Sequence, residues 1–160
     1  MPKYRLSEVD TDISTKALIE NIKNLRESKE FFESQNNFVM LKKTNKELLS
    51  LLKEFQCYFP SNEILIEISE LQEEIGDKEG MIETLRQLCI LNPNDKDHVE
   101  LLGNKYISLA WEFFYMDKSE EAIEMIGRAL KIVRDFNKSY PEEEVGLSIT
   151  LQSQEILSKL

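Results

Sequence analysis

This chain has little histidine and none of the sequence motifs by which enzyme sites are usually recognised. His98 is the only histidine, and no GxSxG elbow, glycine-rich phosphate loop or metal-ligand cluster occurs. General acid–base, nucleophilic and metal-assisted mechanisms therefore lack their usual machinery, and no catalytic residue, metal or cofactor is expected. His98, beside Asp97 at the start of a helical pattern, reads as a surface residue. Glutamate and aspartate are plentiful, but helical faces need solvating charge.

Cysteine is equally sparse. Cys57 and Cys89 each sit in an apolar helical run without a CxxC or CxxH neighbour, so two reduced, buried thiols are expected rather than a disulfide or a metal site. Five glycines and four prolines fall between apolar runs, which excludes a turn-rich sheet protein and favours long helices. No apolar run is long enough to span a bilayer, and Met1-Pro2-Lys3-Tyr4-Arg5 lacks the apolar stretch of a secretory signal. A cytoplasmic chain without membrane insertion is expected, and the glycosylation-like triplet Asn137-Lys138-Ser139 then has no meaning. Basic charge is in deficit, with 20 lysines and arginines against 30 acids and a net charge of -10. That balance argues against nucleic acid and anionic membrane as partners; it attracts a basic partner or keeps the chain soluble.

What is present is helical periodicity. With 41% apolar residues the chain can fill a core unaided. After a polar lead over 1–13, Asp12 and Ser14 offer N-caps for a first helix carrying Leu18, Ile19, Ile22, Leu25, Phe31 and Phe32. Gln35-Asn36-Asn37 breaks it, and a second helix with Leu48, Leu49, Leu52 and Phe55 stops at Phe59-Pro60. Ser61 or Asn62 caps a third, where Ile64, Ile68, Leu71 and Ile75 mark one buried face, ending at Gly76-Asp77. Asp77 caps a fourth, with Met81, Ile82, Leu85, Leu88 and Leu91, closed by Asn92-Pro93-Asn94. The fifth, from about Asp97 to Met116, is apolar on almost every side and is expected to be sandwiched. Asp117 to Glu120 has capping-box spacing for a sixth helix with Ala122, Ile123, Ile126, Ala129, Leu130, Val133 and Phe136. Ser139 and Pro141 are expected to open a seventh, with Val145, Ile149, Ile156 and Leu160 on one side and Leu147 and Leu151 nearby.

Paired helices invite a search for repeats. The stretch 62–95 resembles a tetratricopeptide repeat: Leu65, Ile68, the Gly76-Asp77 turn, Met81, Leu85 and Pro93 stand at the signature places, while Ser69, Gln72 and Leu88 depart from it. The stretch 103–136 is similar, through Tyr106, Leu109, Ala110 and Phe113 and through Ala122 and Ala129, two small residues that let helices approach. It is lengthened like the repeats of kinesin-light-chain type. The first hairpin, over 14–60, shares Leu48, Leu52, Phe55 and Pro60. The resemblance implies an all-α, tetratricopeptide-like superhelix, a right-handed solenoid of about seven helices, organised as one domain: a hairpin over 14–60, repeats over 61–95 and 96–138, and a capping helix over 139–160.

In such folds the first helix of each pair lines a concave groove. Here the third helix would present Glu63, Glu67, Glu70 and Glu74, with Glu73 beside them, and the fifth would present Ile107, Ser108, Trp111, Phe114 and Tyr115. An acidic wall and an aromatic wall would suit a protein or peptide partner with basic and apolar residues, making the chain a non-enzymatic adaptor or a subunit of a larger assembly. The alternative is that the glutamates are a wet helical face and that the seventh helix or the first covers the aromatic residues. The clamp that holds acidic chaperone tails is absent, because Glu67 replaces its asparagine and Ser108 a basic residue. Two further alternatives are an acidic secretion-type chaperone holding an extended client, and a homodimer zipped through Val145, Ile149, Gln152, Ile156 and Leu160.

Overall fold

The computed structural model describes residues 13–160, and Asp12, one of the expected caps, lies outside them. Seven helices and no strand occur among the described residues: α1 (Ile13–Ser34), α2 (Phe38–Tyr58), α3 (Asn62–Glu74), α4 (Lys78–Leu91), α5 (Lys96–Tyr115), α6 (Ser119–Ser139) and α7 (Leu147–Lys159). The chain divides into two compact units, one ending at Thr84 and one running from Leu85 to Leu160, so that the division falls within α4.

In the first unit, α1 and α2 form a hairpin and α3 packs back on α2. Their apolar faces meet in one core: Leu18, Ile19 and Ile22 from α1, Leu48, Leu49, Leu52 and Phe55 from α2, and Ile64, Ile68 and Leu71 from α3. Phe31, expected inside, is exposed near the end of α1. Ser61 caps α3 by accepting from the Ile64 N–H, and Asp77 does the same for the Gly80 N–H at the start of α4. Farther along these helices the Thr84 hydroxyl donates to the Gln72 carbonyl at 2.7 Å, satisfying two buried polar groups at once.

The second unit repeats the scheme, with α5 and α6 as the closest pair and α7 packed on both. Ala110, Ala122 and Ala129 are fully buried, which is where small side chains let the helices approach. Gly103 serves the same end, since a Cβ there would come within 2.5 Å of Ile149 Cδ1. The tetratricopeptide-like style read from the sequence is present in the backbone: each unit holds a helix pair, and a third helix then packs against that pair.

One turn recurs between consecutive helices, joining α1 to α2, α3 to α4 and α5 to α6. At Asn36, Gly76 and Asp117 the backbone takes positive φ, at 52°, 85° and 57°. Each is followed by the same two reversed hydrogen bonds: Asn36 N–H to Glu33 O and Asn37 N–H to Phe32 O; Gly76 N–H to Glu73 O and Asp77 N–H to Gln72 O; Asp117 N–H to Phe114 O and Lys118 N–H to Phe113 O. This is the Schellman closure of a helix, and the residue after it already stands at the start of the next helix. The first hairpin, whose side chains resemble the repeat least, closes in the same way.

Other expectations need correction too, beginning with Leu91 and Ile123, expected inside but 63% and 49% exposed. Asp117 does not cap α6; its left-handed backbone terminates α5, and Lys118 precedes α6 without a side-chain cap bond. The seventh helix does not open at Ser139 or Pro141 but at Leu147, after Gly146 at φ 82°. Residues before it are held in a loop by Asn137, whose side chain donates to Val145 O and accepts from Val145 N–H at 3.1 and 3.0 Å. His98 is buried: it turns inward with Val99 in the first turn of α5, and its Nε2 lies 3.6 Å from Asp95, the actual N-cap. Cys57 is exposed and Cys89 half-buried, both free: Cys57 lies two residues, and so over half a helical turn, from buried Phe55.

Candidate protein-binding site

The expected site residues fall into two groups, one in each unit. The glutamates share α3. Glu67 is the most enclosed of them, because Arg26 of α1 meets it with two donors, Nε to Oε1 at 2.9 Å and Nη2 to Oε2. Glu74 accepts from Lys29 Nζ at 2.8 Å and from Asn45 Nδ2 at 2.8 Å. Two of the four carboxylates are thus neutralised from within the unit, by cations of α1 spaced three residues apart so that they share a helical face. Glu63 stays exposed in the first turn of α3, where the Ser61 hydroxyl donates to it at 2.8 Å and holds its carboxyl below the usual range. Glu70 is exposed as well.

The aromatic group sits at the C-terminal end of α5. Ile107 is not part of its surface; at 2% exposure it belongs to the core. Trp111 and Phe114 are half-buried and Tyr115 is 77% exposed. The three rings form one cluster: Trp111 stacks on Tyr115 with centroids 5.8 Å apart, while Phe114 meets both edge-on, at 5.8 and 5.4 Å. Lys159 from α7 places its ammonium 5.2 Å from the Trp111 ring, so α7 covers part of that face, as one of the readings anticipated. Met116, 59% exposed, extends the patch beyond the residues singled out in the sequence; its position next to an aromatic run at a helix end is the signal that marks it.

No family model matches the chain. No curated protein matches it either. Among solved structures, one titled "Crystal structure of MamA" is similar at 20% identity over 94% of this chain and 98% of that one, with a TM-score of 0.39.

Among the described residues no group of histidine, cysteine, aspartate and glutamate side chains could hold a metal ion. No helix among them is long and apolar enough to cross a membrane. The two surfaces are a partly neutralised acidic stripe on α3 and an aromatic ledge on α5 with exposed apolar area at its tip.

Proposed function

We propose that the chain is a non-enzymatic protein-binding module, an adaptor or a subunit of a larger assembly, and that the aromatic ledge of α5 anchors its partner. The observation that carries this reading is Tyr115, a large ring left 77% exposed yet held in place by stacking on half-buried Trp111. A ring immobilised before binding loses little conformational freedom on contact, which is the usual character of an interface anchor. Glu63 and Glu70, the exposed members of the α3 stripe, favour a segment that carries basic as well as apolar residues. Glu67 and Glu74 serve chiefly to tie α3 to α1, and Ile107 belongs to the core of its unit. Capture from cell extract with Tyr115→Ser and Met116→Ser, both at exposed positions, should lose the wild-type partners while helicity is unchanged; an unaltered set of partners would rule the ledge out.

A second reading moves the homodimer contact from the expected seam, whose Val145, Ile149 and Ile156 are buried, to the other side of α7, where Leu147 is 72% and Leu151 56% exposed, one helical turn apart. Such a pair could zip to a second copy. A mass that falls on dilution, and falls to the monomer with Leu147→Glu, would support the homodimer; a monomer at every concentration would remove it.

A further inference from the structure

The outward side of α2 carries a feature that neither surface above uses. Phe38, Val39 and Met40 open the helix with 72%, 81% and 36% of their surface exposed, and Phe31 at the end of α1 adds another ring, 58% exposed. An open depression lies between them, lined by Phe31, Phe32, Phe38, Val39 and the turn residues. Behind this tip, at about 100° per residue, Lys42, Lys43, Lys46 and Lys53 fall on one exposed stripe, opposite the buried Leu48, Leu52 and Phe55. Glu47 and Glu54 lie only toward its edge.

Several cations elsewhere in the chain are answered by acids. Arg26, Lys29, Lys96, Arg128, Lys131 and Lys159 are each paired with a carboxylate. Lys42, Lys43, Lys46 and Lys53 are in no ion pair among the described residues. Lys42 and Lys46 stand four residues apart on one face, where like charges repel. They also crowd the N-terminal half of a helix whose first turn contains no acidic residue, so the positive end of the helix dipole adds to the repulsion. In a chain of net charge -10 this is a local excess of positive charge that no ion pair among the described residues compensates.

We propose that this side of α2 is a second docking surface, for an acidic segment of a partner protein that carries apolar side chains. Its apolar residues seat on Phe31, Phe38 and Val39, and its carboxylates relieve the repulsion among Lys42, Lys43, Lys46 and Lys53. A protein segment suits the site better than a lipid surface, because the stripe runs along the helix away from the tip, and a bilayer touching the tip would leave Lys53 more than a Debye length behind, about 10 Å at moderate salt.

The test uses the full chain and a labelled synthetic peptide of glutamate and leucine, with a lysine and leucine peptide of the same pattern as control. Anisotropy should show binding of the acidic peptide alone, weakening as salt rises. The same binding should slow modification of Cys57, which is exposed one turn beyond Lys53 on the stripe. Each single Lys→Gln change should weaken binding about two- to fivefold, and Lys42→Glu with Lys43→Glu and Lys46→Glu roughly tenfold or more. Phe38→Ser with Val39→Ser should weaken it at every salt concentration. Lys131→Glu, at a lysine already paired with Asp135 at 2.7 Å, should change nothing. Equal binding of the basic peptide, an unaffected triple variant, or tighter binding to phosphatidylserine vesicles or single-stranded DNA than to the peptide would overturn the proposal.

Discussion

Arg26 and Glu67 meet edge to edge across the first unit, with side chains only 11% and 14% exposed. Two parallel donor bonds fix both groups, and little water remains to screen them. Removing one partner leaves the other charge half-dehydrated and unanswered. Arg26→Ala or Glu67→Ala should therefore cost about 1–3 kcal/mol in urea unfolding, less than a fully buried pair would. Arg26→Met with Glu67→Leu should recover much of that loss, and a double-mutant cycle that shows no coupling would mean the two act independently.

Three glycines should respond differently to alanine. Gly146, at φ 82°, would gain strain from a left-handed backbone and drive its Cβ into Val133, so about 2–4 kcal/mol should be lost. Gly76, at φ 85°, faces open space and should lose only the backbone share, about 1–2 kcal/mol. Gly127 lies within α6 with nothing near its Cβ, and alanine there should add about 0.5–1 kcal/mol. Thermal melts of the three variants read out that order directly.

The Cys89 thiol is pushed up to about 11 by burial, with the Asp95 carboxylate adding to the effect. The unfolded chain releases this proton nearer the ordinary value of 9.0. Between those values the unfolded state binds fewer protons than the folded one, so stability present below pH 9 drains away as pH rises toward 11. Urea midpoints should fall over that window in the wild type and fall less in Cys89→Ser. At pH 8 a disulfide reagent should modify exposed Cys57 first.

Trp111 offers an optical report on α7, because Lys159 lies over its ring and pairs with Glu155 at 3.1 Å. Lys159→Met should shift Trp111 emission while costing no more than about 1 kcal/mol. An unchanged spectrum would show that the contact is not held in solution.

Much of the helical layout could be read from residue types because the breaks use strong local signals. Ser61 and Asp77 are good caps, Pro60 and Pro93 cannot continue a helix, and Gly76 tolerates positive φ. Asp117 misled because aspartate suits both an N-cap and a left-handed helix end, and only tertiary packing decides between them. The start of α7 misled because Pro141 followed by three glutamates has the composition of a helix N-terminus, while the bonds from Asn137 to Val145 hold that stretch open. For the site, helical spacing placed Glu63, Glu67, Glu70 and Glu74 on one stripe and Trp111 beside Tyr115. It could not show that Arg26, on another helix, would claim Glu67, or that Ile107 would turn inward. Spacing shows which face of a helix is buried, but not which residue of a neighbouring helix will meet a given side chain.

Asparagine, glycine and aspartate occupy the three recurring left-handed turns, and they are the residue types that adopt this backbone most readily. Selection that preserves such a hairpin acts on a dihedral angle rather than on a letter.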